Sequence, residues 1–130
     1  MDEGDQPGRL VCVVDDDLSC REALTGLLRS FGFMAEAFEG GPAFLASSHR
    51  WAADCLILDF RMPVMTGLEV QAVLLADGQT IPIIFVTSQP EPRLRDRALE
   101  AGAIAILRKP CDNADLIGHV RNAVGASPAA

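Results

Sequence analysis

The sequence predicts an α/β protein built on a doubly wound, five-stranded parallel sheet with five helices. Five short apolar runs alternate along the chain with five segments of helical periodicity. The first run is continuous rather than alternating, which is typical of strands buried on both faces. With 130 residues the chain has the length of one domain. We expect this domain at residues 9–124, after a disordered lead-in at 1–8 and before a tail or linker at 125–130.

Each predicted strand is short, apolar and bounded by polar residues or by chain-breaking Gly and Pro. Pro82 is acceptable near the first residue of a strand. The predicted strands comprise residues 10–14, 33–38, 56–59, 81–86 and 103–107. The predicted helices comprise residues 18–31, 41–47, 67–76, 92–101 and 113–124, with a loop at 48–53.

Capping residues mark the helix ends. Asp17 is placed to cap the first helix, and Pro92 suits the first turn of the fourth. Gly32, Gly78 and Gly102 follow helical segments and predict their ends.

Apolar spacing predicts which helix faces are buried. The predicted positions are Leu18, Leu24, Leu27, Leu28 and Phe31, then Leu68, Ala72 and Leu75, then Leu94, Ala98 and Ala101, and finally Leu116, Val120 and Val124. We also expect Trp51 to be a partial packing anchor. His49, in the loop, and His119, in the last helix, are expected to be structural or exposed.

Composition excludes several classes of protein. The net charge of −7 argues against direct nucleic-acid binding and suits divalent cations or basic partners. The four cysteines lack zinc-site spacing, and Cys12 and Cys55 lie in apolar runs, which indicates a reducing, cytoplasmic compartment. No apolar run approaches membrane-spanning length.

Polar side chains follow four of the predicted strands. Right-handed crossovers place the carboxyl ends of parallel strands at one edge of the sheet. The residues delivered there are Asp15, Asp16, Asp59, Thr87 and Lys109. Core packing does not require such a set, so we expect a functional site at this edge.

The chemistry of this set favours phosphoryl transfer. Carboxylates without His or Cys suit Mg²⁺, or Mn²⁺, rather than zinc. Lys109 adds a positive charge that suits a phosphoryl group, and Thr87 can donate a hydrogen bond to it. Asp59 is the expected acceptor, because a carboxylate can act as a nucleophile and form an aspartyl phosphate.

These residues stand in motifs that resemble the receiver domain of two-component response regulators. The resemblance covers roughly residues 9–124. The residues around the motifs are similar to those of receivers in the nitrogen-fixation-regulator subfamily. The stretches that carry it are Val14-Asp15-Asp16-Asp17, Leu58-Asp59-Phe60-Arg61-Met62-Pro63-Val64-Met65-Thr66-Gly67, Val86-Thr87-Ser88 and Lys109-Pro110. The fold implied is flavodoxin-like with strand order 2-1-3-4-5.

The resemblance also implies roles for single residues. Asp59 would accept the phosphoryl group from a sensor histidine kinase or phosphotransfer protein. Asp16, Asp59 and the backbone carbonyl of Arg61 would bind Mg²⁺ directly, and Asp15 through a water. Thr87 would follow the phosphoryl group and reorganise its loop. Lys109 would pair with the phosphoryl oxygens, and its bond to Pro110 would be cis. The chain would be no enzyme beyond its own phosphorylation and dephosphorylation.

Two positions depart from the family's usual residues, and two others are positions that affect phosphoryl lifetime in the family. Ile106 replaces the usual aromatic residue three positions before the lysine, and Cys111 replaces the usual Phe after Lys-Pro. Cys111 is expected to be a packing residue, with a reactive thiol as the alternative. Arg61 and Gln89 occupy positions that tune phosphoryl lifetime in the family.

The sequence is compatible with several alternatives. The arginine-bearing face of helix 92–101 is either solvated or part of a homodimer surface with the last strand and last helix. The domain could be a degenerate receiver that only binds partners, or a phosphohydrolase, although Arg61 stands where such enzymes place an acid/base carboxylate. A flavin-binding protein would need a phosphate-binding loop after the first strand. An output domain could follow Ala130.

Overall fold

The computed structural model describes residues 9–125 and shows a five-stranded parallel sheet with helices on both faces. The strands are β1 (Leu10–Val14), β2 (Met34–Phe38), β3 (Cys55–Asp59), β4 (Ile83–Thr87) and β5 (Ala105–Arg108). The helices are α1 (Leu18–Ser30), α2 (Gly41–Ala46), α3 (His49–Ala52), α4 (Gly67–Ala76), α5 (Pro92–Glu100) and α6 (Asn113–Gly125). All four pairings are parallel and the order is β2-β1-β3-β4-β5, as predicted.

The predicted segments at the two ends of the chain lie largely outside the described residues. This holds for the lead-in at 1–8 and for residues 126–130 of the expected tail. Gly125, which we assigned to the tail, is the last residue of α6.

Successive strand residues point to opposite faces of the sheet and so build two cores. On one face Val11 and Val13 join a cluster that α1 and α6 complete with Leu28 and Val120. On the other face Cys12, Val14 and their neighbours pack against α2, α4 and α5. The doubly wound arrangement is therefore confirmed, and both faces of the central strands are buried.

The structure has six helices within residues 9–125, not five, because a helical turn replaces part of the predicted loop at 48–53. This turn is α3, and at four residues it is too short to show helical periodicity. Its Arg50 side chain is buried, donating from Nη2 to Asp77 Oδ2 at 2.6 Å and from Nε to Gln79 Oε1 at 3.0 Å. Contacts with residues distant in sequence hold this helix in place.

The residues predicted to cap or end helices are confirmed. Asp17 caps α1, accepting hydrogen bonds from the Ser19 amide at 2.8 Å and the Cys20 amide at 3.3 Å. The three glycines predicted to end helices have left-handed backbones, with φ of 92° at Gly32, 71° at Gly78 and 109° at Gly102. This conformation favours glycine because it lacks a Cβ.

The buried face of α4 differs from the predicted one. Val70, Gln71 and Leu74 are buried, whereas the predicted Ala72 and Leu75 are exposed and Leu68 is half-buried. This helix is apolar around most of its circumference, so spacing does not single out one face.

Other predicted packing residues have mixed outcomes. In α1, Leu24 and Leu28 are buried, but Leu18 in the first turn is exposed. In α6 the predicted Leu116, Val120 and Val124 are all buried. Of the α5 residues, Ala98 is buried and Leu94 is half-buried.

Trp51 is not a packing anchor, since 65% of it is exposed. Its ring lies against the Arg50 guanidinium, whose Cζ is 4.4 Å from the ring centroid. His49 begins α3 rather than lying in a loop, and its Nδ1 is 3.0 Å from Ser47 Oγ. Between residues 9 and 125, no helix combines the length and apolar character needed to cross a membrane.

Candidate functional site

The carboxyl ends of four strands bring the predicted site residues to one edge of the sheet. Asp15 follows β1, Asp59 ends β3 and Thr87 ends β4. Lys109 follows β5, and its amide donates to the Thr87 carbonyl at 2.8 Å. The parallel register pairs Val14 with Leu58, so Asp15 and Asp59, the residues that follow them, lie side by side.

Lys109 bridges the two buried carboxylates. Its Nζ lies 2.7 Å from Asp15 Oδ2 and 3.2 Å from Asp59 Oδ2. Asp15 is only 2% exposed and Asp59 only 7%. Burying two carboxylates side by side requires such a compensating cation, because their mutual repulsion is weakly screened away from water.

Backbone amides orient the other oxygen of each carboxylate. The Asp17 amide donates to Asp15 Oδ1 at 2.9 Å, and the Arg61 amide donates to Asp59 Oδ1 at 3.3 Å. Each donor lies two residues beyond its acceptor, in the loop that follows the strand. These loops therefore hold the carboxylates in place before any ligand arrives.

The three carboxylates form a group suited to a hard cation. One oxygen from each of Asp15, Asp16 and Asp59 lies within 4.8 Å of the others, and Asp16 is the exposed member. The group contains no His or Cys, so it matches Mg²⁺ or Mn²⁺ better than zinc. The residues present thus fit the cation that the sequence implies.

The site shifts the proton affinities of Asp59 and Lys109 upward. Burial raises the pKa of Asp59, and although the Lys109 charge opposes this, Asp15 reinforces it. Burial by itself lowers the pKa of Lys109, but the hydrogen bond to Asp15 and the charges of Asp59 and Asp15 outweigh it and raise that pKa. Lys109 is therefore a permanent cation at neutral pH.

Thr87 lies next to this group and is fully buried. Its Oγ1 accepts a hydrogen bond from the Gln89 amide at 3.2 Å, so the hydroxyl proton remains available for donation. The Lys109–Pro110 peptide bond is cis, as the resemblance implied.

Sequence reasoning missed two residues that support the site. Arg21 of α1 donates from Nη1 to the Asp15 carbonyl at 2.8 Å. Glu91, directly before α5, pairs with Arg61 in the loop after β3. Both lie outside the motifs, and no local pattern indicates the partners of their side chains.

Ile106, Cys111 and the two histidines do not belong to the carboxylate group. Ile106 is half-buried on β5. Burial raises the pKa of the Cys111 thiol, which favours its role as a packing residue over that of a reactive thiol. His119 Nε2 is 3.7 Å from Asp115 Oδ1 on α6, and neither histidine belongs to the carboxylate group.

Comparison with known proteins gives consistent matches. The family model for the response regulator receiver domain matches residues 11–121. Response regulator protein TmoT of Ectopseudomonas mendocina is 41% identical over 119 residues, which cover 92% of this chain and 54% of TmoT. Transcriptional regulatory protein FixJ of Azorhizobium caulinodans is 36% identical over 117 residues, which cover 90% of this chain and 56% of FixJ.

The fold also matches a solved structure of a response regulator. The structure of response regulator StyR superposes with a TM-score of 0.85 at 41% identity, covering 91% of this chain and 60% of that one. The chain spans about half the length of the curated relatives it matches. The similarity to FixJ agrees with the resemblance to nitrogen-fixation regulators stated from the motifs.

Proposed function

The chain belongs to the response regulator receiver family, and on this basis we propose that it accepts a phosphoryl group on Asp59. The donor would be a phosphohistidine of a sensor histidine kinase or of a phosphotransfer protein. One observation carries the proposal: Lys109 Nζ lies within 3.2 Å of both Asp15 and Asp59 at the sheet edge. Asp59 can receive the phosphoryl group, and Lys109, which the two carboxylates hold in place, can neutralise its negative charge; positioning and charge neutralisation are most of what phosphoryl transfer requires.

In the transfer step, an Asp59 carboxylate oxygen attacks phosphorus. A P–O bond forms as the P–N bond to histidine breaks, and the imidazole nitrogen leaves with the bonding electron pair. Lys109 would exchange its contact with Asp59 Oδ2 for one with a phosphoryl oxygen while keeping its contact with Asp15. The Thr87 hydroxyl would donate to another phosphoryl oxygen.

Mg²⁺, or Mn²⁺, would be held by Asp16, Asp59 and the backbone carbonyl of Arg61, with Asp15 acting through a water. When bound, the ion neutralises charge on the transferring phosphoryl oxygens. Asp16 is the exposed member of the carboxylate group, so it can meet an ion that arrives from solvent.

The response would spread from Thr87 to the surface at residues 87–109. Thr87 is fully buried and its carbonyl accepts the Lys109 amide, so the end of β4 and the segment after β5 are already coupled. This surface, which contains α5 and β5, would act together with α6 to contact an output domain or a second copy. Catalysis would be limited to self-phosphorylation and slow hydrolysis of the aspartyl phosphate.

Intact mass after incubation with Mg²⁺ and acetyl phosphate tests the proposal. The native chain should gain one phosphate that base treatment removes, and Asp59→Asn should gain none. Asp96→Asn is the matched control, since it removes an exposed carboxylate of α5 outside the group. Absence of an adduct on the native chain, together with failure to bind beryllofluoride, would instead support a degenerate receiver that acts only by binding.

A further inference from the structure

A charged contact joins the loop after Asp59 to the start of α5. Arg61 donates from Nη2 to Glu91 Oε2, across 30 residues of sequence. Glu91 is the residue that precedes α5, yet its side chain caps no amide of that helix. Its carboxylate therefore contacts the phosphoacceptor loop instead of its own helix.

The opposite half of α5 is attached in another way. Ala98 is its buried residue, and the Ala98 carbonyl accepts a hydrogen bond from Gln71 Nε2 of α4 at 3.1 Å. A solvent-open pocket of about 560 Å³ lies between α4 and α5, and its lining includes Phe60, Leu94 and both members of the Arg61–Glu91 pair. The first turn of α5 thus has space to move if the pair opens, while Ala98 stays in place.

We propose that the Arg61–Glu91 pair is a latch that holds the first turn of α5 to the phosphoacceptor loop, and that phosphorylation of Asp59 opens it by drawing Arg61 to the phosphoryl oxygens. This inference rests on the proposed function of Asp59. In it Glu91 is a positioning residue, because it acts through Arg61 and touches no reacting atom.

Both the added negative charge and the length of the Arg61 side chain favour its transfer from Glu91 to the phosphoryl oxygens. The Arg61 amide is 3.3 Å from Asp59 Oδ1, so the long Arg61 side chain starts beside the acceptor. Phosphorylation adds negative charge there, and a guanidinium binds phosphate oxygens in a bidentate fashion. About half of each partner side chain is exposed, 52% for Arg61 and 50% for Glu91. Ion pairs this exposed are weak and readily exchanged.

Amide hydrogen exchange of the metal-free chain tests the latch itself. Arg61→Gln and Glu91→Gln should each speed exchange in the first turn of α5, where the Arg95 amide donates to the Glu91 carbonyl. Glu100→Gln, an exposed carboxylate at the other end of α5, is the control and should change nothing there. Unchanged exchange in both test variants would overturn the latch, and this result requires no phosphorylation.

Titration with beryllofluoride in Mg²⁺ tests the opening. Freeing Arg61 from its competitor should make Glu91→Gln bind this phosphoryl mimic about two- to fivefold more tightly, the range for one exposed ion pair. In the Arg61→Gln background the same substitution should have no effect. If Glu91→Gln raised the beryllofluoride affinity equally in the native chain and in the Arg61→Gln variant, Glu91 would act only through its long-range negative charge. That result would overturn the exchange of partners. If the native chain binds no beryllofluoride, the proposed function fails and the opening step with it.

Discussion

A Cβ built on Gly67 would lie 2.2 Å from the carbonyl oxygen of Asp59. The first residue of α4 is thus packed directly against the backbone of Asp59, and its amide donates to the Phe60 carbonyl at 2.9 Å. A side chain could not avoid this contact by changing rotamer, because both the Cβ and the oxygen belong to fixed backbone geometry.

Gly67→Ala should therefore lower the free energy of unfolding by about 3 kcal/mol, at the upper end of overpacking effects. Urea denaturation measures this. Gly118→Ala is the control, since beyond its chain neighbours and the backbone of its own helix no atom lies within 4 Å of its Cβ position, on the exposed side of α6. That variant should gain about 0.5–1 kcal/mol from helix propensity. Equal effects of the two substitutions would refute the close approach.

Val64 stands in the loop after β3 with a left-handed backbone, at φ 72°. This conformation is unfavourable for a β-branched residue, and Val64 is 95% exposed, so little packing compensates. Val64→Asn should raise the free energy of unfolding by about 1 kcal/mol. Val64→Thr keeps the β-branch and should leave stability unchanged. Thermal or urea unfolding would detect the difference, and stabilisation by both substitutions would mean that removing an exposed apolar group is the cause.

Asp59 should make stability depend on pH in a defined direction. Because burial raises its pKa in the folded chain, the unfolded chain releases this proton first as pH rises. The carboxylate therefore weakens the fold above its ordinary pKa of about 3.9, with the full effect above its folded-state pKa. In Mg²⁺-free buffer Asp59→Asn should be more stable than the native chain at pH 7, and the advantage should vanish as pH falls below about 4. Urea unfolding of both proteins from pH 3.5 to 8 checks this, and a stability difference that stays constant over this range would contradict it.

Arg50 should contribute to the free energy of unfolding, although no sequence motif includes it. Its buried guanidinium pairs with Asp77 and Gln79, and so joins α3 to the loop after α4. Arg50→Met keeps most of the apolar stem but leaves these partners without their donor, which should reduce the free energy of unfolding by about 1–2 kcal/mol. Arg93→Met, at an exposed position of α5, should have almost no effect. Similar small effects of both would show that solvent replaces the Arg50 contacts.

Where the sequence predicted an arrangement correctly, the signal was local. Asp17 and the three helix-ending glycines were recognised because capping and left-handed turns demand particular residue types within a few positions. The convergence of Asp15, Asp59, Thr87 and Lys109 followed from the rule that parallel strands share one carboxyl edge.

Where the prediction was wrong, the deciding contacts joined distant residues. The apolar circumference of α4 allowed several faces, and the actual face was selected by its neighbours in the fold. The turn α3 depends on Asp77 and Gln79, which lie 27 and 29 residues beyond Arg50. Trp51 was expected to be a partial packing anchor, yet it is exposed and the adjacent Arg50 is the buried residue.

By itself, then, the sequence determined the fold class, the strand order through its family motifs, and the identity of the residues at the sheet edge. Only the tertiary structure decided which oxygen of each carboxylate faces Lys109, that Gly67 touches the Asp59 backbone, and that Arg61 pairs with Glu91. The physical reason is range. Periodicity and capping act within a few residues, whereas hydrogen bonds and close packing depend on distances that exist only after the chain has folded.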